Sequence, residues 1–291
     1  MSDVPTIDGT ALRQHWPLPD PDDADSKHDR GSIIVIGGAA STPGAVLLAG
    51  LAALRVGAGR LTIATTASTA AALAVAVPEA AVIGLPESKA GALDEAAVAE
   101  AASASDDARA ALIGPGLQEP DDTRRFLEEL LPQLPGSATV IVDALAITCG
   151  AETAIRARAD HGQLIVTPND TEAQRLLGDS AKDRSDADAA TMVARHLGAV
   201  TVLGSVVARP DGQRWQIPQG NSGLGTSGSG DVLAGAIAGI AARGADAFTA
   251  SLWGLTAHKS AGDRLAQRVG PVGYLARELL AELPGTINPR L

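Results

Sequence analysis

The sequence predicts a three-layer α/β/α fold built around a mostly parallel central sheet. Three observations carry this expectation. Short runs of Val, Ile and Leu alternate with Ala-rich segments of helical length, the pattern of repeated βαβ units. The 291-residue chain is 45% hydrophobic but only 2% aromatic. Its core must therefore be assembled from Ala, Val, Leu and Ile, the residues that line a parallel sheet covered on both faces. Gly, Pro, Asp and Asn then gather just after the strand-like runs, where open parallel sheets bind their ligands.

The elements follow in order. Residues 1–30 are polar, with an acidic cluster at 20–25, and read as an N-terminal arm carrying at most one short helix near 9–15. Residues 31–291 are expected to form a single catalytic domain, because no linker or repeat divides them. A strand at 32–36 ends in Gly37-Gly38 and leads to a helix at 44–56. Strands at 60–64 and 81–84 alternate with helices near 69–75 and 93–102. A strand at 111–113 ends in Gly114-Pro115-Gly116, followed by a helix near 121–131. The strand at 139–142 ends in Asp143, and that at 164–166 in Thr167-Pro168-Asn169, ahead of helical residues 173–177. Strand-like pieces at 200–203 and 205–208 precede the turn signal Pro210-Asp211-Gly212, from which 214–217 pairs back as a hairpin. Helices at 230–243, 245–269 and 272–283 close the chain.

Composition excludes several classes of partner. A net charge of −11 and a pI near 4.8 disfavour nucleic acid and anionic membranes, which reward clustered Lys and Arg. A small anionic ligand stays compatible, because backbone amides bind phosphate without net positive charge. The single cysteine, Cys149, excludes an intramolecular disulfide and a zinc cluster. The acidic N-terminus lacks a signal-peptide pattern, and no run reaches the ~18 apolar residues of a membrane span. The longest candidate, 43–59, contains Arg55 and reads as a buried helix. A cytoplasmic protein is expected.

The densest chemical signal is 221–231. Gly223, Gly225, Gly228 and Gly230 permit close backbone approach, and Val232-Leu233-Ala234 then opens an apolar helix. A glycine turn at a helix N-terminus offers unpaired amides and a positive dipole end to an anion. No Lys follows the last glycine, so this is not a Walker loop. Asp231 admits two readings: a first-turn carboxylate favoured by the dipole, or a base that takes a substrate hydroxyl proton during phosphoryl transfer. Asn169 and Glu172, three apart, likewise read either as a capping box or as organisers of water around Mg²⁺ and a polyphosphate. His15, His28, His161, His196 and His258 show no metal-ligand spacing, and Trp215 and Trp253 read as packing residues. Of the histidines, His258 lies on a helix expected to cover the sheet.

Taken in order, these segments resemble the NAD(P)H-hydrate dehydratases. Gly37-Gly38, Pro43-Gly44-Ala45 and the stretch from Leu54 through Val56-Gly57-Ala58-Gly59 resemble that family's first helix and second strand. Ile113-Gly114-Pro115-Gly116-Leu117 resembles its GPG loop, Val142-Asp143-Ala144 its DA strand end, and Thr167-Pro168 with Glu172 its TPHpGE strand end. Asn221 and Gly228-Ser229-Gly230-Asp231-Val232-Leu233-Ala234-Gly235 resemble the N…GtGDvLaG segment. The resemblance runs from about Gly31 to Leu283.

It implies a ribokinase-like fold and the repair of hydrated NADH and NADPH. In that activity an adenine nucleotide (ADP, or ATP) phosphorylates the ring hydroxyl, phosphate is eliminated, and Mg²⁺ assists. Asp231 matches the catalytic aspartate and also touches substrate. Ala45 and Gly116 match substrate contacts, and Asn169 stands where the family has a substrate-contacting His. Gly204, Ser205, Asn221, Gly228, Ser229 and Gly230 fall at nucleotide-binding positions, and Glu172 at a water-mediated magnesium position. A homotetramer is implied, and so is a separate epimerase as metabolic partner, since the N-terminal arm is too short to hold one. Two departures stand out. Asn169 replaces the His, giving an Asn-x-x-Glu motif like that of ribokinase-like sugar and vitamin kinases. The family's vvLKG…TvI stretch appears as Val202-Leu203-Gly204-Ser205-Val206-Val207, without its Lys and about three residues shorter. The competing expectations are an ATP-dependent kinase of a small alcohol or vitamin precursor, or a catalytically impaired nucleotide-binding homologue.

Overall fold

A computed structural model describes residues 4–19, 30–160 and 163–287. The acidic cluster at 20–25, His28 and His161 lie outside the described residues. The strands are β1 (Ser32–Ile36), β2 (Arg60–Thr66), β3 (Ala80–Leu85), β4 (Ala110–Ile113), β5 (Thr139–Val142), β6 (Leu164–Val166), β7 (Val200–Leu203), β8 (Val206–Ala208) and β9 (Arg214–Gln216). The helices are α1 (Gly9–His15), α2 (Pro43–Arg55), α3 (Ala67–Ala76), α4 (Val98–Ala104), α5 (Pro120–Leu130), α6 (Leu145–Thr148), α7 (Glu152–Ala159), α8 (Asp170–Leu177), α9 (Asp186–Leu197), α10 (Ser229–Ala242), α11 (Ala247–Arg268) and α12 (Ala276–Ile287).

The strands form one sheet in the order β3-β2-β1-β4-β5-β6-β7-β8-β9. Pairings from β3 through β7 are parallel. β8 and β9 add antiparallel, as the turn signal at 210–212 required. Side chains of successive strand residues bury on opposite faces. Ile33, Val35, Leu112 and Ile141 join the core under α2, α10, α11 and α12. Ile34, Ile36, Ile113, Val140 and Val142 join the core under α4, α5, α7 and α9. A sheet buried on both faces needs continuous apolar strands, and that is the pattern the sequence carries.

Chain order reverses between β1 and β4, which are neighbours in the sheet. That switch point opens a crevice at the strand C-termini. Two loops meet over it: Gly114 N donates to Ile36 O at 3.2 Å, and Gly38 N to Pro115 O at 2.7 Å.

The helix that carries the glycine turn lies very close to α2. A Cβ on Gly235 would stand 2.1 Å from Ala49 O, and one on Gly239 2.6 Å from the Cα of Ala53. Glycine spaced four apart on α10 thus meets the alanines spaced four apart on α2, and the backbones touch. On its other side α10 meets Gly254 of α11, where a Cβ would fall 2.4 Å from Ile237 Cγ1.

The short helix expected near 9–15 is present as α1, with Asp8 capping it through Oδ1 to the amides of Thr10 and Ala11. The N-terminal segment also adds to the sheet edge, where Ile7 N donates to Gln216 O and Gln216 N to Pro5 O. Leu12 is fully buried, Trp253 Nε1 donates to Trp16 O at 2.6 Å, and Trp16, Trp215 and Phe248 stack edge to face. The expected helix at 93–102 begins later, because Asp94 caps a 3-10 turn at Glu95–Ala97 that leads into α4. The expected helix at 272–283 begins at Ala276, because Gly270 and Gly273 hold positive φ and break the chain ahead of it. Among the described residues no helix is long and apolar enough to cross a membrane.

Candidate active site

The crevice floor is built from strand ends whose backbones nearly touch. Gly114 sits at φ +130, and a Cβ there would lie 2.0 Å from Asp143 O, so only glycine allows β4 to end against β5. Gly116 sits at φ +70, with Ala45 Cβ only 2.9 Å from where its own Cβ would be. Thr42 Oγ1 donates to Gly116 O at 2.7 Å and locks this approach. The structure thus joins Ala45 and Gly116, both expected as substrate contacts, into one wall.

Asp143 was legible only as a strand end, yet it is central to the geometry. It is buried, and its Oδ1 accepts the Thr167 hydroxyl at 2.6 Å. Burial pushes its carboxyl up to about 8, and the negative charges of Asp231 and Glu172 push the same way against the Thr167 bond. Asp143 therefore holds its proton at neutral pH. The next residue, Ala144, adopts φ 55, a left-handed conformation that a residue with a Cβ seldom takes.

The glycine turn sits opposite. Gly228, at φ +86, is the N-cap of α10 and offers no side chain to its amides. The amides of Gly230 and Asp231 have no protein acceptor among the described residues, and a Cβ on Gly230 would meet open space. Two orphan donors at the positive end of a helix form an anion site. Asp231 stands in the first turn, after the cap, so the first-turn reading is realised, and its carboxylate is also left free to act as a base. No described donor engages its carboxylate, and burial raises that carboxyl to about 6. Ser229 Oγ pairs with Nε2 of His258 at 2.9 Å. Burial lowers His258 to about 4, so the ring is neutral and fixes the turn without adding charge.

A cavity of about 400 Å³ opens beside this turn. Gly204, Ser205 and Asn221, expected at nucleotide-binding positions, all line it, with His258 and Lys259 of α11. Gly204 takes φ +56 and lies under Asp186 of α9. The Asn221 side chain is engaged by protein: its Oδ1 accepts from Gly223 N at 2.9 Å and from Tyr274 Oη at 3.0 Å. Its Nδ2 donates to Asp263 Oδ1 at 3.0 Å, while Asp263 Oδ2 accepts Gly220 N at 3.0 Å. Asn221 thereby shapes the loop that frames the cavity. Sequence reasoning missed Lys259, Asp263 and Tyr274. The one visible signal was Lys259, a charged residue inside an otherwise apolar helical face.

Asn169 and Glu172 form a reciprocal capping box. Glu172 N donates to Asn169 Oδ1 at 2.9 Å, and Asn169 N to Glu172 Oε2 at 2.9 Å. The helix-start reading is the one realised, and one Glu172 carboxylate oxygen is left over for a water. Burial raises Glu172 above the ordinary carboxylate range. Among the described residues no cluster of three His, Cys, Asp or Glu could hold a metal directly. The donor set therefore suits an Mg²⁺ carried by nucleotide phosphates and waters, the usual preference of that ion. The uncapped amides and the neighbouring cavity suit the polyphosphate itself.

Comparison with known proteins agrees with this geometry. The family model for NAD(P)H-hydrate dehydratase matches residues 33–285. An ADP-dependent (S)-NAD(P)H-hydrate dehydratase of Xanthomonas campestris pv. campestris is 44% identical over 98% of this chain and 96% of its own. A bifunctional NAD(P)H-hydrate repair enzyme of Moorella thermoacetica is 38% identical over 87% of this chain, which spans 48% of that longer protein. The crystal structure of the ADP/ATP-dependent NAD(P)H-hydrate dehydratase of Bacillus subtilis, co-crystallised with ATP and Mg²⁺, superposes with a TM-score of 0.80. That protein shares 28% identity, and the match covers 98% of each chain. By sequence and by fold, with the switch-point crevice and glycine turn in place, this chain belongs to the NAD(P)H-hydrate dehydratase family.

Proposed function

We propose that this chain is an ADP-dependent dehydratase that repairs the (S)-hydrates of NADH and NADPH, a carbon–oxygen lyase by class. The observation that carries the reading is Asp231: a carboxylate without a protein donor, one residue past the uncapped glycine turn. Its neighbour across the crevice, Asp143, stays protonated at neutral pH. Two carboxyls whose environments separate their pKa values take different roles: Asp231 ionises and acts as the base, and Asp143 stays neutral beside it.

Asp231 takes the proton of the hydroxyl on the hydrated nicotinamide ring. The freed oxygen attacks the terminal phosphorus of ADP; the new O–P bond forms as the bond to the AMP oxygen breaks, and AMP leaves. Phosphate then departs with the electron pair of the C–O bond, the adjacent ring carbon gives up a proton to the departing phosphate, and the C=C of the dihydropyridine is restored. The amides of Gly230 and Asp231 hold the charge that gathers on the transferring group. Ala45 and Gly116 form the wall against which the dinucleotide lies. Gly204, Ser205, Gly228 and Ser229 surround the nucleotide, and Asn221 keeps the framing loop in place. Glu172 would hold Mg²⁺ through water, and the ion would supply charge neutralisation to the phosphates. Asn169 borders the substrate with its Oδ1, N–H and carbonyl already engaged by Glu172 N, Glu172 Oε2 and Ala173 N. The same capping box gives Asn169 and Glu172 a structural reason for their spacing, so the motif does not by itself single out a small-alcohol kinase.

The assembly read with this function is a homotetramer in the cytoplasm, served by a separate epimerase that converts the (R)-hydrate. Light scattering is expected to give four times the 29.3 kDa chain mass. Incubation of hydrated NADH with ADP should restore absorbance at 340 nm; a lack of recovery with either ADP or ATP would refute the proposal.

The acid limb of the rate profile follows from Asp231. A base works only when ionised, and its carboxyl is raised to about 6 by burial. kcat/KM for the hydrate is therefore expected to rise with pH through about 6 and to level off above it. An acid limb centred near the ordinary aspartate value, 3.8, would show that another group supplies the base.

A further inference from the structure

The cavity beside the glycine turn contains one cationic side chain among its described lining residues, and it comes from an unexpected place. The β7–β8 turn, Gly204 and Ser205, carries no basic residue of its own. Lys259 enters instead from the middle of α11, and only 8% of it is exposed. Its Nζ donates to Ser205 Oγ at 2.5 Å and to Ile217 O at 3.4 Å. An ammonium has three donors, so one is left for the cavity. The stem is held in place: Gly220, at φ +108, has its Cα hydrogen side so close that a Cβ would lie 3.1 Å from Lys259 Cγ.

No described carboxylate lies within ion-pair distance of this ammonium. The nearby acids are otherwise occupied or more distant. Asp263 accepts from Gly220 N and Asn221 Nδ2, and Asp186 lies over Gly204. Burial lowers its pKa below the ordinary lysine value, against the smaller opposing pull of the Asp263 and Asp186 charges. His258, its neighbour in the chain, is the neutral partner of Ser229 on the α10 turn. A buried cation with no anion of its own is costly to keep. The cost is offset when an anionic group enters the cavity and takes the vacant donor.

We propose that Lys259 is the phosphate-binding cation of the nucleotide site, contacting a phosphate of the nucleoside diphosphate from α11 across Ser205. This rests on the reading of that cavity as the ADP site. The competing role is structural: Lys259 would merely tie α11 to Ser205 and Ile217.

Calorimetry on the full-length protein with ADP and with adenosine separates the two. Lys259→Met is expected to weaken ADP binding about 10- to 100-fold, the range for hydrogen bonds to charged groups, and to leave adenosine within about twofold. KM for ADP should rise by the same factor, with KM for the hydrate unchanged. Lys259→Arg, which keeps the charge, should recover most of the ADP affinity. Lys259→Gln is one atom shorter but keeps an N–H donor for Ser205; it is expected to lose ADP affinity as Lys259→Met does, and serves if the methionine variant fails to fold. Equal losses for ADP and adenosine, or no loss of ADP affinity in the glutamine variant, would overturn the assignment. A wild-type protein that binds ADP but never restores 340 nm absorbance would overturn the dehydratase reading instead, and the Lys259 comparison would still be decided by binding alone.

Discussion

Asp231→Asn is expected to lower kcat by about 1,000-fold while ADP and dinucleotide affinities stay within a few-fold. The substitution keeps the shape of the side chain and removes its basicity. It disturbs no protein hydrogen bond, because no described donor engages the Asp231 carboxylate, and the α10 cap belongs to Gly228. Loss of folding therefore cannot account for lost turnover, and thermal unfolding should confirm an unchanged midpoint. Asp143→Asn is the informative contrast. Asp143 already carries a proton at neutral pH, and an amide oxygen can accept the Thr167 hydroxyl as the acid does. Its turnover is expected to fall by less than about 10-fold, a tenth of the range for a positioned base or less. If the two variants lose activity equally, the division of roles between the carboxyls is wrong.

Gly235→Ala is expected to destabilise the protein by about 3 kcal/mol, the upper part of the usual range for an overpacked interface. The added methyl would stand 2.1 Å from Ala49 O, a backbone atom that cannot rotate away. α10 must then shift off α2, and with it the turn that presents Asp231. Activity is expected to fall together with stability. Gly44→Ala makes the same chemical change where a Cβ meets nothing within 4 Å, inside the first turn of α2. There the lower backbone entropy of the unfolded chain should dominate, for a gain of about 0.5–1 kcal/mol. Chemical denaturation of the two variants compares them directly. A stable Gly235→Ala protein would mean that the α2–α10 contact is looser than the backbone approach indicates.

Most of the sheet was legible because its strands are buried on both faces. Each reads as an unbroken apolar run that ends in Gly, Pro, Asp or Asn, so β1, β5, β6 and β7 carry the expected bounds. Helices α7 and α9 were not legible from periodicity. α9 announces itself by caps, with Ser185 accepting from Asp188 N and Gly198 in the left-handed region, yet its buried side chains are mostly alanines that give little contrast. The ends of α12 depart from expectation because Gly270 and Gly273 break the chain ahead of it and Pro284 is carried inside it. At the site, the residues on one contiguous peptide were readable: Gly228 through Asp231, and the Asn169–Glu172 box. What sequence order could not give was partnership across the fold. Asp143 meets Thr167 and the charge of Asp231 only because β5, β6 and α10 converge. Lys259 reaches Ser205, 54 residues away, only because α11 packs under β7 and β8.

The central claim is that a phosphoryl group passes from ADP to the hydrated nicotinamide ring and leaves again as phosphate. The most direct test measures products together: NADH restored at 340 nm, AMP and inorganic phosphate, after reaction of purified (S)-hydrate with ADP and Mg²⁺. Equal amounts of all three, with none formed by Asp231→Asn, is the expected result. ADP released from ATP in the presence of a small alcohol, with no NADH recovered from the hydrate, would contradict it.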